Sequence, residues 1–506
     1  MTETPGVTGK QTLDKDLDKI VRVQEAAGYV SRGFVRPGFG VLFIAAAAIV
    51  ASLYVADEQN SLLMVAAAML GGYMALNIGA NDVANNVGPA VGSRALSMVG
   101  ALVIAAVFES AGALIAGGDV VGTISKGIID PATVADTNVF IWAMMAALVS
   151  SALWVNLATI LGAPVSTTHS VVGGVMGAGV AAAGFSAVNW PTMGAIAASW
   201  IISPVLGGLI GAAFLAFIKI KIIYRDDKIA AARRWVPVLL AVMAAAFTAY
   251  LAMKGLKKVI HLDGLMILAT GAVAGVATFF VTRPIIRRQS EGMENRNQSV
   301  RKLFNIPLIC SAALLSFAHG ANDVANAVGP LAAVVHAAKA GEVIAKVSIP
   351  LWVMVIGAAG ISFGLLLFGP RLIRMVGEQI TKLNPMRAYC VALSAAVTVI
   401  IASWLGLPVS STHIAVGAVF GVGFFREWYT AKSQRRRDYM ERKYRNRRPK
   451  DAEKPAPAPA TPPEEARRRM LVRRAHLTTI VAAWVVTVPA AAILSAITFL
   501  LLDTAF

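Results

Sequence analysis

A carboxylate and three side-chain amides interrupt an apolar stretch of the chain near residue 80. The segment "GANDVANNVGP" (Gly79–Pro89, the first GAND motif) follows "SLLMVAAAMLGGYMALNI", which is long and apolar enough to cross a bilayer. An Asp near the middle of a membrane helix costs about 2.5 to 3.5 kcal/mol on insertion scales. Such residues usually face a cavity and mark the path of an ion or substrate. The alternative is a buried polar clamp between two parts of the protein.

The motif occurs a second time as "GANDVANAVGP" (Gly320–Pro330, the second GAND motif), identical at 10 of 11 positions. In a helix, the two shared asparagines of each motif are four residues apart and lie on one face. Their oxygens and those of the aspartates suit Na⁺ or a proton, and the Gly and Gly-Pro positions predict local unwinding that frees backbone carbonyls for a cation. Asn86 aligns with Ala327 and therefore carries less weight than Asn81 and Asp82.

A second pair of motifs follows each GAND motif at a similar distance. "PVSTTH" contains the first hydroxyl triplet (Ser166, Thr167, Thr168), and "PVSSTH" contains the second (Ser410, Ser411, Thr412). Proline, then Ser/Thr, then an apolar Gly-spaced segment predicts a helix start, where free N–H groups and the helix dipole favour an anion. Plain capping of a re-entrant hairpin is the alternative. For the histidines that follow, we expect a hydrogen bond that orients the hairpin.

Glu109, in "ALVIAAVFESAGALIAGG", is a third acid inside an apolar segment and has no acidic counterpart in the second half. It is either a cation ligand, a proton relay or a structural helix–helix hydrogen bond. The predicted cation-coupling residues are Asp82, Asp323, Asn85, Asn326 and Glu109, with the two aspartates as the ligands if the cation is Na⁺. Because carboxylates repel an anion unless cations neutralise them, such a site predicts symport.

Two motifs in one order at one spacing indicate a duplicated unit, and charge indicates how its copies are oriented. The basic segments 217–235 and 283–302 are predicted to be cytoplasmic, so the helix near 190–216 ends inside. Its repeat partner, 476–502, follows the most basic stretch of the chain and therefore begins inside. The sequence predicts an inverted-topology repeat, the plan of many secondary transporters.

The composition identifies a membrane protein. Of 506 residues, 57% are hydrophobic and 15% are charged, and about ten to twelve segments could cross a bilayer. Residues 426–475 hold 17 Lys/Arg and 7 Asp/Glu, which supply +10 of the net charge of +18, so the charge indicates cytoplasmic loops and does not indicate nucleic-acid binding. The two cysteines lie in apolar runs and indicate no disulfide framework, and the polar N-terminus is not a signal peptide.

The predicted fold class is an all-α polytopic membrane protein with an inverted-topology repeat and re-entrant hairpins. Its predicted parts are a cytoplasmic N-terminal extension (1–37), an extra transmembrane helix (38–58), a first transporter repeat (60–216), connecting helices and basic loops (217–302), a second transporter repeat (303–425 and 476–502) and a basic, Pro-rich cytoplasmic insertion (426–475). The first part of the insertion is predicted to be a charged helix and "KPAPAPATPP" to be extended. A solvated loop that sets orientation and a contact with anionic lipids are both consistent with it.

The doubled GAND motif and the paired "PVSTTH" and "PVSSTH" resemble the PiT family of inorganic phosphate transporters, over about 60–216 and 303–502. The resemblance implies phosphate symport with Na⁺ or H⁺, no other cofactor, a multi-pass location in the cell (inner) membrane and a homodimer. It implies phosphate binding by Ser166, Thr167, Thr168, Ser410, Ser411, Thr412, Asn81 and Asn322.

Three other functions are consistent with parts of the pattern. A sulfate permease differs in that sulfate, unlike phosphate, cannot offer a proton at neutral pH. A membrane enzyme acting on phosphorylated lipids lacks support, because the chain has no nucleophile elbow, P-loop or paired metal motif. For an ion channel, Asp82→Asn would alter a passive current measured without any substrate gradient, whereas for a symporter it would abolish concentrative uptake.

Overall fold

The computed structural model describes residues 35–130, 133–134, 136–161, 165–255, 262–341, 349–375, 383–445 and 474–505. Most of the N-terminal extension, Pro164 and the Pro-rich part of the insertion lie outside these ranges. Within them the regular structure is helical, with one isolated bridge between Ile129 and Val188. Eleven helical stretches of the described chain are long and apolar enough to cross a membrane, which confirms the predicted all-α polytopic class.

The helices of the described ranges are numbered in chain order. They are α1 Val35–Val55, α2 Ser61–Asn81, α3 Val83–Gly92, α4 Met98–Ala116, α5 Gly118–Lys126, α6 Thr137–Leu161, α7 Thr167–Ala183, α8 Trp190–Ile218, α9 Lys228–Lys254, α10 Gly264–Gln289, α11 Asn297–Leu303, α12 Asn305–Asp323, α13 Ala325–Ala340, α14 Leu351–Met375, α15 Pro385–Trp404, α16 Ser411–Lys432, α17 Gln434–Arg445 and α18 Arg474–Ala505. A π-helical turn, Lys219–Ile223, extends α8, and a short 3-10 turn, Phe185–Ala187, follows α7.

The GAND motifs interrupt two long helices at a single residue each. The first break lies at Asp82 between α2 and α3, and the second at Val324 between α12 and α13. Backbone bonds continue through both breaks, for example from Asp82 N–H to the Ile78 carbonyl (3.0 Å). Pro89 and Pro330 lie inside helices, so the prediction that the Gly-Pro positions unwind the chain and free carbonyls was wrong.

The glycines of the motifs instead allow helices of the two halves to touch backbone to backbone. A Cβ on Gly79 of α2 would overlap the Ile361 carbonyl of α14, and a Cβ on Gly320 of α12 would overlap the Glu109 carbonyl of α4. The contacts match, since Gly79 and Gly320 occupy the same place in the two motifs. Small residues permit this close approach in membrane helices.

Helices of the two halves also make close backbone contacts around the second pair of motifs. Helix α7 packs against α18, and α16 packs against α8. Gly173 of α7 lies against the backbone of Val488, and Gly417 of α16 lies against that of Pro204. Each hairpin helix of one half is therefore supported by a long helix of the other half, and the two halves form one interlocked bundle.

Helices α1, α9 and α10 lie at the edge of this bundle. Helix α1 packs through Phe43 on Phe363 of α14, with ring centroids 5.3 Å apart. Helix α9 packs through Phe247 on Phe317 of α12 at 5.0 Å, and α10 packs mainly on α9. The charged start of the insertion is helical, as the sequence predicts, and forms α17.

Candidate functional site

The two hydroxyl triplets begin α7 and α16 in the interior of the bundle. The Ser166 hydroxyl accepts a hydrogen bond from the His169 N–H (3.1 Å), and the Ser410 hydroxyl accepts one from the His413 N–H (3.2 Å). Each serine is thus an N-cap, as predicted. All six hydroxyl side chains are at most 2% exposed. Two buried helix N-termini with hydroxyl donors suit an oxyanion.

The two helix starts meet each other. The Thr168 hydroxyl donates to the Val409 carbonyl at 3.0 Å, and the rings of His169 and His413 lie edge to face with centroids 4.3 Å apart. His169 also packs on Trp200, whose indole N–H donates to the Pro408 carbonyl at 3.1 Å. The two hydroxyl triplets therefore belong to one site, and the histidines pack behind it.

Asp82 lies between the two triplets and is 1% exposed. Thr167 donates to one of its oxygens at 2.6 Å, and Thr412 donates to the other at 3.1 Å. One hydroxyl comes from each hairpin, so the carboxylate of the first GAND motif joins the two halves. Two of the six hydroxyls predicted to bind an oxyanion are thus hydrogen-bonded to this carboxylate.

The second asparagine of each GAND motif reaches the hairpin of the other half. Asn85 donates to Thr412 at 2.9 Å, and Asn326 donates to Thr168 at 3.1 Å and to Thr167 at 3.3 Å. Both asparagines are buried. The structure brings them to the same site as the hydroxyl triplets and Asp82, as the sequence predicts.

The first asparagine of each motif contacts a different neighbour. Asn81 donates to Thr159 of α6 at 2.9 Å, and Asn322 donates to Ser403 of α15 at 3.0 Å. Asn322 also accepts a hydrogen bond from the Val409 N–H at 3.2 Å, next to the second triplet. Both amides therefore connect their motif to the first arm of a hairpin, and these hydrogen bonds do not go to the triplets.

Asp323 is contacted by a histidine as well as by a hydroxyl group, whereas Asp82 is contacted by two hydroxyl groups. Ser411 donates to it at 3.3 Å, and His319 Nε2 lies 2.9 Å from the same oxygen. His319 Nδ1 lies 3.2 Å from Glu109, which also accepts a hydrogen bond from Asn86 at 2.9 Å. Every member of this network is at most 2% exposed.

This network exists in one half only. When the two GAND motifs are aligned, Ile78 corresponds to His319 and Ala327 corresponds to Asn86. Gly79 contacts the Ile361 carbonyl where Gly320 contacts that of Glu109, so Ile361 is the structural equivalent of Glu109 in the other half. Sequence reasoning missed His319 and discounted Asn86. The available signal was a histidine four residues before Asp323, on the same face of the helix.

Ligand atoms for a cation converge at this point. One atom each from Asp82, His319 and Asp323 lies within 4.8 Å of the others, and all three side chains are buried. Two carboxylates this close repel each other unless positive charge lies between them. Carboxylate oxygens are ligands that bind hard cations such as Na⁺.

A cavity of about 480 Å³, the first vestibule, opens from one end of the bundle towards the first GAND motif. Its polar lining includes Asn77, Asn156 and Thr159, with Arg36 and Arg371 also among the lining residues. Asn156 donates to Asn77 at 3.1 Å. Thr159 accepts the hydrogen bond from Asn81, so polar side chains connect this vestibule with the site.

A second vestibule of about 370 Å³ is lined by Ile115, Asp119, Lys254 and Trp404, among others. The Lys254 ammonium forms an ion pair with Asp119. Close by, Tyr250 and Phe317 pack with ring centroids 6.4 Å apart. Trp404 and Ile160 occupy equivalent places in the two hairpins, so the vestibules are counterparts. An apolar cluster adjoins the second vestibule, whereas a few polar side chains of the otherwise apolar first vestibule lead towards the first GAND motif.

Comparison with known proteins shows the family of this chain. A model described as the phosphate transporter family matches residues 78–495. A protein of Helicobacter pylori strain J99, whose name marks it as a candidate phosphate permease, is 51% identical over 424 residues, 83% of this chain and 80% of that one. A protein of Pyrococcus abyssi with the same type of name is 40% identical over 362 residues, 71% of this chain and 88% of that one.

One solved structure is also similar. It is named "The sodium-dependent phosphate transporter", is 34% identical to this chain and has a TM-score of 0.76. The match covers 88% of this chain and the whole of that one.

Proposed function

We propose that this chain, which belongs to the phosphate transporter family, imports inorganic phosphate by symport with Na⁺. The family is one of transporters and not of enzymes. The coupling to a cation is inferred from the geometry around Asp82.

The observation that carries the proposal is the pair of hydroxyl bonds to Asp82. Thr167 and Thr412 direct their protons at this carboxylate, at 2.6 and 3.1 Å. A Na⁺ ion on the carboxylate would repel those protons and replace their hydrogen bonds. The hydroxyls would then turn towards an incoming oxyanion, beside the two helix N-termini. Cation binding thereby creates the donors that phosphate needs.

The same geometry opposes phosphate binding without a cation. An anion brought near Asp82 and Asp323 meets two carboxylates in a low-dielectric interior, where like charges repel strongly. The cation removes this repulsion. Each net positive charge carried inward gains about 2.3 kcal/mol per 100 mV, which concentrates the substrate roughly 50-fold.

We assign roles to the predicted residues on this basis. The phosphate ligands are Ser166, Thr167, Thr168, Ser410, Ser411 and Thr412, while Asn85 and Asn326 orient the hydroxyls. Asp82 and Asp323 are the cation ligands. Asn81 and Asn322 position the motifs against α6 and α15, and Glu109 supports Asp323 through His319.

The paired vestibules support transport by alternating access. The first vestibule is connected with the site by polar side chains, and the second is separated from it by the cluster around Tyr250 and Phe317. If the halves form an inverted repeat, the vestibules open on opposite membrane faces. The matching contacts of Gly79 and Gly320 support that arrangement. Exchange between the two arrangements would then expose the site to one face at a time.

Na⁺ is favoured over H⁺ by two observations. The similar solved structure is named as sodium-dependent. A carboxylate oxygen of Asp82 and one of Asp323 lie within 4.8 Å of each other, so that one cation can bind to both. The proposed location is the cytoplasmic membrane, and the proposed assembly is a homodimer, which crosslinking in native membranes would test.

The test is uptake of radiolabelled phosphate into proteoliposomes with Na⁺ and pH gradients imposed separately. We expect concentrative uptake with an inward Na⁺ gradient at equal pH and none with a pH gradient alone. Sulfate should compete weakly. Equal inhibition by sulfate and phosphate would contradict the substrate, and uptake driven by the pH gradient alone would contradict the cation.

A further inference from the structure

Five cationic side chains gather at one end of the bundle, away from the transport site. They come from the end of α8, α11, the start of α15, the end of α16 and α17, and we call them the basic cluster: Lys219, Arg301, Arg387, Arg426 and Arg436. The charges that act on Lys219 are those of Arg426, Arg436 and Arg387. Arg301 acts on both Arg387 and Arg426. Charge patterning predicts that this end is cytoplasmic.

Lys219 is the buried member of the basic cluster, and Arg387 and Arg426 are half-buried. Lys219 is 7% exposed, and its ammonium has no hydrogen-bond partner among the described residues. The Nη1 atom of Arg426 is likewise buried without a partner in the described part of the chain. A buried cation is strongly unfavourable unless it is paired. These donors therefore lack the acceptor that such burial requires.

Among the described residues, no carboxylate is hydrogen-bonded to the Lys219 ammonium. The Lys219 ammonium lies 4.6 Å from the ring centroid of Tyr429 and 5.4 Å from that of Phe425. Cation–π attraction stabilises an ammonium but leaves its charge in place. Glu427 is the acidic side chain among the main charges that act on Arg426. One carboxylate against five cations leaves a large positive excess.

Two features hold the cluster in shape. Lys219 opens the π-helical turn Lys219–Ile223, a local distortion that is frequent at functional sites. Helix α17 is held down by Tyr439, which is 8% exposed and packs on Tyr224 with ring centroids 5.5 Å apart. Arg436 of α17 donates to the Thr430 carbonyl at 2.8 Å, which fixes its guanidinium beside the end of α16. The donors are positioned before any ligand arrives.

We propose that the basic cluster is a second anion site, which binds a phosphate-bearing ligand at this end of the protein. Guanidinium groups bind phosphate through paired N–H donors, and the ammonium adds a point charge. The ligand is the headgroup of an anionic lipid or a free, multiply charged phosphate. None of the five residues belongs to the transport site, so the inference stands whether or not the proposed symport is correct.

The test is thermal unfolding of the full-length protein in neutral detergent at low ionic strength without Na⁺. The probes are potassium pyrophosphate for a free phosphate, and phosphatidylglycerol against phosphatidylcholine for a lipid. We expect one probe to raise the Tm of the wild type by at least about 3 °C, which is the scale of a saturated site. Pyrophosphate would identify a free ligand, and phosphatidylglycerol a lipid.

Lys219→Gln and Arg426→Gln should abolish this rise, whereas Arg435→Gln, on the exposed side of α17, should keep it. Without a probe, the two cluster variants should be at least as stable as the wild type, because they relieve repulsion between the clustered cations. The proposal is wrong if neither probe raises the Tm, if the cluster variants respond like the wild type, or if they lose stability without a probe. That last result would assign Lys219 a purely structural role on Tyr429.

Discussion

The two GAND aspartates have the same motif but different surroundings, and this difference separates their roles. Asp82 is hydrogen-bonded by two hydroxyls, and Asp323 is also bound by His319. The charge of Asp82 is therefore the one most available to an incoming cation. Asn has the same shape without the charge, so the substitution removes the charge with little change in packing.

We expect Asp82→Asn to lower Na⁺-driven phosphate uptake at least tenfold, the loss typical of one charged hydrogen-bonding partner. Initial rates in proteoliposomes measure the effect. Asp503→Asn, at an exposed position near the end of α18, is the matched control and should transport normally. Normal uptake by Asp82→Asn would remove this residue from the coupling site.

His319 joins two acids that would otherwise be buried side by side. His319→Ala should lower the free energy of unfolding by about 3 to 5 kcal/mol, because it leaves Glu109 and Asp323 without their shared partner. Adding Glu109→Gln should recover part of the loss, since a neutral amide needs no cation and still accepts the bond from Asn86. Denaturant unfolding in detergent measures both variants. Strictly additive losses would show that the two residues do not interact.

Sequence reasoning succeeded at residues whose role is local. Ser166 and Ser410 could be predicted as caps because a cap depends on neighbours three residues away. The pairing of His319 with Glu109 could not be predicted, because the two residues are 210 positions apart and Glu109 lacks a matching acid in the other half. Asn86 was discounted because the repeat does not preserve it, yet the same asymmetry explains its contact with Glu109.

At the scale of helices, glycine determines how closely the two halves pack. The sequence indicated the duplication, but it assigned the motif glycines to unwinding. The structure uses Gly79 and Gly320 for backbone contact between α2 and α14 and between α12 and α4. Spacing along one chain cannot separate these roles, because the contact partner lies in the other half.

Gly79→Ala should prevent normal folding, since its Cβ would overlap the Ile361 carbonyl and a backbone atom cannot rotate away. Gly194→Ala in α8 is the control, because a Cβ there meets nothing within 4 Å. The control should gain a few tenths of a kcal/mol to about 1 kcal/mol from helix propensity. Size-exclusion chromatography and Tm report both. A monodisperse Gly79→Ala protein with a normal Tm would refute the close contact.

For the whole molecule, the central prediction is that the two vestibules open on opposite faces of the membrane. Ile160 and Trp404 are equivalent residues of the two hairpins, each is more than half exposed, and each lines one of the two vestibules. Charge patterning assigned the orientation of the halves from loops alone. The structure adds these paired positions, at which the orientation can be measured.

Ile160→Cys and Trp404→Cys, each made after Cys310→Ala and Cys390→Ala, should react with a membrane-impermeant maleimide from opposite sides. We expect Ile160→Cys to react in inside-out vesicles and Trp404→Cys in right-side-out vesicles. The parent protein without cysteine is the control. Reaction of both from the same side would contradict the inverted repeat.

One contact near the centre of the molecule has a mechanical consequence. The hydroxyls of Ser110 and Ser362 lie 2.7 Å apart, and each serine lies two residues before a glycine, Gly112 or Gly364, that makes the same backbone contact in its half. If the halves rotate against each other, the serine pair is the fulcrum. Displacement grows with distance from a fulcrum, so the vestibule mouths travel far while this pair barely moves. We therefore expect a disulfide between Ser110→Cys and Ser362→Cys to permit turnover. A short bis-methanethiosulfonate bridge between Asp119→Cys and Lys254→Cys, which replaces the length of the lysine side chain, should stop turnover until it is reduced, as phosphate uptake before and after a reductant would measure.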